Sequence, residues 1–145
     1  FLNPRKYGWT DKAAPYKAWR YEWDHGAVHD VDQIEWRSGQ PLCVLELTSH
    51  AELNDDNKKS VADRLWNSFS GRKLRHLAGR MNVPFFVIFF RTDMTALAVC
   101  HLTDEDAPWY DLSPGQYRQW LSTLPHGASA ATIAETLTNP PEFAR

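Results

Sequence analysis

Cysteine is scarce: Cys43 and Cys100 are the two in 145 residues, and both lie in apolar runs. So few thiols exclude a disulfide framework and point to two reduced core residues, although thiols on adjacent strands could pair. Glycine is sparse too, and no Gly-rich phosphate loop or Gly-x-Ser-x-Gly elbow occurs. Long hydrophobic runs are missing. The longest, Val83–Phe90, is far below the ~20 residues that span a bilayer, so no membrane partner is expected. The opening Phe1-Leu2-Asn3-Pro4-Arg5-Lys6 has no apolar core of a signal peptide. With the low cysteine content, that sets the expectation of a cytoplasmic protein. The lack of an initiating Met suggests a trimmed chain. Surplus charge of one sign is also absent. A net charge of −2 does not by itself indicate nucleic acid or a membrane surface.

What is present is ordinary globular composition, 43% apolar and 23% charged. A chain of this length buries roughly two-thirds of its unfolded surface. A single domain over residues 1–145 is expected, with 1–11 and 138–145 irregular. Tryptophan is abundant, with seven residues. Core packing accounts for such rings, and base stacking is the sharper alternative.

Periodicity sets the elements. Asp11 can cap a helix to about Asp24, with Tyr16, Trp19 and Trp23 on one face. Val31–Arg37 alternates and Leu42–Thr48 is mostly apolar; Ser38-Gly39 between them predicts a hairpin. A second helical segment runs over about 57–82, kinked or split near Gly71, with Val61, Leu65 and Phe69 on one face and Leu74, Leu77, Ala78 and Met81 continuing it. Strands follow at Phe85–Arg91 and Leu97–Leu102, then an acidic loop, Thr103–Asp111. Ser113-Pro114 opens a helix to about Leu124, because serine caps and proline suits the first helical position. A short helix is expected over Ala130–Leu137. The order α-β-β-α-β-β-α gives an α/β fold, a mixed central sheet with flanking helices.

The hairpin carries Asp32 and Glu46. A two-residue loop pairs Asp32 with Leu45 and sends the carboxylates to opposite faces. A three-residue loop with Gly39 left-handed pairs Asp32 with Glu46, on one face with Ile34, Trp36, Leu42 and Val44, while Gln33, Glu35 and Arg37 face solvent. The second register keeps the apolar residues together and is the expected one. Two carboxylates on such a face need compensation, and a hard divalent cation supplies it.

This pattern resembles the PD-(D/E)XK nuclease superfamily: a helix with Glu22, a strand with Asp32, a strand with Glu46-Leu47-Thr48, then a helix and further strands, over roughly residues 12–103. The resemblance implies a restriction-endonuclease-like core and Mg2+- or Mn2+-dependent hydrolysis of DNA or RNA. It implies Asp32, Glu46 and the Leu47 carbonyl as metal ligands and Glu22 as an auxiliary carboxylate. Two positions depart from the motif: Thr48 stands where the family has lysine, and Val31 where it has proline. Either Lys58, Lys59 or Lys73 supplies the charge from the next helix, Lys59 being the first candidate, or catalysis is lost and the fold binds nucleic acid or a protein partner, a second copy included. Nucleic acid is favoured by Lys58, Lys59, Arg64, Arg72, Lys73, Arg75 and Arg80, facing the single acid Asp63 within 57–82. Such a stripe can act as a phosphate footprint, although a solvated helix face reads the same way. His25 and His29 have i, i+4 spacing, but Gly26 breaks that helix and zinc wants three or four ligands.

Overall fold

The computed structural model describes residues 31–140 and, before them, positions 15, 16, 19 and 22. Contacts divide the chain into two compact units, Phe1–Asp30 and Val31–Arg145, where the sequence is read as one domain. In the first unit Pro15, Tyr16 and Trp19 are helical, and the Tyr16 and Trp19 rings lie 5.7 Å apart. The Asp11 cap, the Trp23 position and the His25/His29 pair lie outside the described residues.

The second unit is a mixed α/β domain. Its strands are β1 (Gln33–Arg37), β2 (Gln40–His50), β3 (Phe85–Arg91), β4 (Leu97–His101) and β5 (Trp109–Leu112). Its helices are α1 (Asp55–Asn67) and α2 (Phe69–Met81) between β2 and β3, then α3 (Pro114–Thr123) and α4 (Ala130–Thr138). The sheet runs in sequence order; β2 and β3 are parallel and every other pair is antiparallel. A parallel pair needs a crossover, and α1–α2 provides it.

Side chains alternate across each strand, so the sheet has two apolar faces. Val44, Phe85, Val87 and Cys100 pack with Ala62 and Leu65 of α1 and Leu74 and Ala78 of α2. Leu45, Phe86, Ile88 and Val99 pack on the other face with Trp120 of α3 and Ile133 and Leu137 of α4. Cys43 belongs to the α3/α4 face and Cys100 to the α1/α2 face, with β3 between their strands, so the two thiols do not pair. Burial pushes both up to about 12, which keeps them protonated and inert.

Several boundaries differ from expectation for physical reasons. The crossover breaks at Ser68, not Gly71. Ser68 is extended at φ −77°, ψ 155°, and its hydroxyl accepts from the Gly71 N–H at 2.9 Å, capping α2. Gly71 is needed for close approach instead: a Cβ there would lie 1.6 Å from the Leu65 carbonyl oxygen. Phe69, assigned to the apolar face, is 57% exposed because the break reorients it. The acidic loop ends in a strand, β5, whose polar Asp111 and preceding Pro108 hide it from a periodicity reading. The Ser113 cap does form, as a full capping box with Gln116.

Candidate functional site

The β1–β2 hairpin determines where the carboxylates go. Ser38 and Gly39 both have positive φ, 56° and 75°, which makes the tight two-residue turn that matches strand twist. Arg37 pairs with Gln40 and Trp36 with Pro41, but Glu35 pairs with Cys43, so Leu42 is an extra residue in β2. That bulge restores the register that a two-residue turn alone would lose. Ile34 faces Val44 and Gln33 faces Leu45, which carries Asp32, one step on, opposite Glu46. Two expectations change with the bulge. Leu42 joins the α3/α4 core and not the Val44 face. Arg37 does not face solvent but reaches the carbonyls of Ser122, at 2.8 Å, and Leu124 at the end of α3, where a cation meets the helix dipole favourably.

Asp32 and Glu46 meet through their carboxyl groups. Asp32 is exposed and its Oδ2 accepts the Leu47 N–H at 2.8 Å. Glu46 is half-buried and hydrogen-bonds the Asp32 carboxylate. Burial is the largest cause that pushes the Glu46 carboxyl up to about 8; the Asp32 hydrogen bond and its negative charge add to it, and the Arg64 guanidinium draws it part of the way back. The pair therefore shares a proton near neutral pH, with Glu46 the donor.

Two hard carboxylates side by side suit Mg2+ or Mn2+, and among the described residues no group of three His, Cys, Asp or Glu side chains could hold a metal ion. Water would fill most of such a cation's shell, as Mg2+ tolerates and zinc does not. Leu47 is paired with Ile88 in the β2–β3 ladder, beside the two acids. Thr48 lies two residues beyond Glu46 on the same strand face. Glu22 is exposed in a turn of the first unit, its N–H on the Trp19 carbonyl at 3.1 Å.

The basic residues of 57–82 do not form one stripe. Lys58 points inward: its side chain is 9% exposed and its ammonium holds Asp111 of β5 at 2.8 Å. Thr48, Phe89, Ala98 and Asp111 are successive partners across the sheet, so the backbones of Thr48 and Asp111 are about 14 Å apart. Lys58 is thus committed far from Thr48 and is removed from any outer phosphate footprint. Lys59 faces solvent and pairs with Asp63 at 3.2 Å. Arg75 stacks on Trp66, 3.8 Å from the ring centroid, and donates to the Trp66 carbonyl at 2.8 Å. Lys73 lies over the Phe69 ring at 4.1 Å. Arg72, His76 and Arg80 remain as an exposed line with i, i+4 spacing along α2.

Lys58 has a sequence signal that the face assignment missed. It lies four and seven residues before Ala62 and Leu65, on the stripe that is buried. Arg64, read only as part of the basic stripe, lies on the flank of α1 opposite Lys59 and Asp63, which line a cavity with Trp109 and Asp111 of β5. That flank is the one towards the hairpin. No family model matches this chain, and no curated protein or solved structure matches it.

Proposed function

We propose that this protein is a nuclease-like domain that hydrolyses phosphodiester bonds in DNA or RNA with the help of Mg2+ or Mn2+. The observation that carries the reading is the hydrogen-bonded Asp32–Glu46 carboxyl pair on a hairpin beside a helical crossover, the order of elements that the PD-(D/E)XK resemblance implies. Asp32 and Glu46 would hold the cation, and the Leu47 carbonyl could add a third oxygen. A cation there supplies a more acidic bound water and charge stabilisation for a phosphoryl group. Asp32 is oriented by the Leu47 N–H, and Glu46 would exchange its proton for the cation. The nucleic acid would lie along α2, where Arg72, Lys73 and Arg80 are basic residues without an ion pair to a described residue and Arg75 is occupied by Trp66.

Thr48 favours a second reading, a nuclease fold that binds nucleic acid or a protein partner without cleaving. A threonine hydroxyl supplies no positive charge, and Lys58 is held by Asp111. A cleavage assay on single-stranded and duplex DNA and RNA with Mg2+ or Mn2+ separates the two, using wild type, Thr48→Lys and Thr48→Lys/Asp32→Ala. The nuclease reading expects metal-dependent cleavage that Thr48→Lys raises and Asp32→Ala abolishes, because an ammonium beside the acids stabilises developing negative charge only when the metal is in place. A folded protein that binds nucleic acid and cleaves in none of the three forms overturns the nuclease reading and leaves the binding module.

A further inference from the structure

The basic residues of α1 differ in what already occupies them. Lys58 holds Asp111 and Lys59 holds Asp63. The Arg64 guanidinium has no hydrogen bond or ion pair to a described residue, and the residue is exposed. Its position on the helix is fixed by its neighbours. Lys58, Ala62 and Leu65 are buried against the sheet. Asp55, Lys59 and Asp63 line a cavity with Trp109 and Asp111 on the β5 side of α1, so Arg64, on the opposite flank of the helix, lies towards β1 and β2. Arg64 thus rises from the flank of α1 that overlooks the two carboxyl groups, and Glu46 feels its charge.

A cation alone does not neutralise a phosphodiester brought to two carboxylates. The acids cancel most of the cation's charge, and the phosphate's non-bridging oxygens need a further donor. Guanidinium suits that task because it is always charged and presents paired N–H groups matched to two phosphate oxygens. We propose that Arg64 is the phosphate-positioning residue of this site, gripping the non-bridging oxygens of a phosphodiester whose other side rests on a cation at Asp32 and Glu46. This inference rests on the proposed metal site. It places the missing positive charge on the helix and not at Thr48, and assigns it to a side chain that makes no hydrogen bond or ion pair with a described residue.

The test uses Mn2+ and inorganic phosphate as probes, with wild type, Arg64→Ala, Arg64→Lys and Asp32→Ala. Mn2+ binding is read by electron paramagnetic resonance. Phosphate binding next to the bound Mn2+ is read from paramagnetic broadening of its 31P resonance. The proposal expects Arg64→Ala to keep or tighten Mn2+ binding, since a nearby positive charge is removed. It expects phosphate affinity at the metal to fall by about ten- to a hundredfold, the worth of a charge-assisted hydrogen bond pair, with Arg64→Lys in between. Loss of both ligands together in a folded Arg64→Ala would make Arg64 a structural residue and overturn the inference. So would unchanged phosphate binding, or a wild type that holds Mn2+ but draws no phosphate to it. A wild type with no Mn2+ site that Asp32→Ala removes would instead fail the proposed metal site, and the Arg64 role with it.

Discussion

Glu46→Gln tests the proton shared by the carboxyl pair, independently of any catalysis. In the unfolded chain Glu46 ionises near 4.5; in the fold it does so at about 8. Between those values the folded state holds a proton that the unfolded state has lost. Stability from this group is therefore complete below pH 4.5 and declines as pH rises through 8. The ceiling is about 1.4 kcal/mol per pH unit across that window. Glu46 is only half-buried, so solvent screening reduces the total to about 2–3 kcal/mol. Glutamine keeps a donor towards Asp32 and cannot ionise. Urea unfolding monitored by tryptophan fluorescence at pH 5, 6, 7, 8 and 8.5 gives the comparison. The two proteins should be nearly equally stable at pH 5, and Glu46→Gln should be more stable by about 2–3 kcal/mol at pH 8.5. His101, whose burial holds it below its ordinary value, acts in the opposite direction with pH but is common to both, so it cancels in the difference. A difference that stays flat from pH 5 to 8.5 would refute the shared proton.

Two glycines of α2 should respond with opposite signs. Gly71→Ala drives a methyl group into the Leu65 carbonyl and should cost about 3 kcal/mol or more in urea unfolding, whereas Gly79→Ala meets nothing within 4 Å and should stabilise by about 0.5–1 kcal/mol. Neutralising Arg72, Lys73 and Arg80 should lower the slope of log affinity against log salt for an oligonucleotide by about 2–3, while neutralising Lys58 and Lys59 leaves that slope unchanged; fluorescence anisotropy across a salt series reads both.

The strands of the core and the C-terminal helices were legible because each is marked by a local signal. Val83–Phe90 has the composition of a strand buried on both faces. Ser113-Pro114 announces a helix start that the capping box realises. The carboxylate register was legible as well, through the apolar pairing of Ile34 with Val44, although the loop that produces it was misread. The turn has two residues and the bulge at Leu42 supplies the third, an exchange that alternation alone cannot distinguish. What stayed hidden depends on tertiary partners. Lys58 resembles its neighbour Lys59 in sequence, and only the packing of α1 sends one to Asp111 and the other to solvent. Ser68 ends one helix and caps the next, while Gly71, the more visible breaker, is held inside α2 by close contact with Leu65. β5 pairs with four residues of β4 and has too few positions to show a period.

Titration calorimetry of Mn2+ into wild type and Asp32→Ala at pH 7, in buffers of different ionisation enthalpy, tests the central claim most directly. A cation at the pair must displace the Glu46 proton, so wild type should bind one Mn2+ per chain and release between half a proton and one proton as it does so. Asp32→Ala should bind none. Equal heats from the two proteins, or binding with no proton released, would contradict a cation site at Asp32 and Glu46.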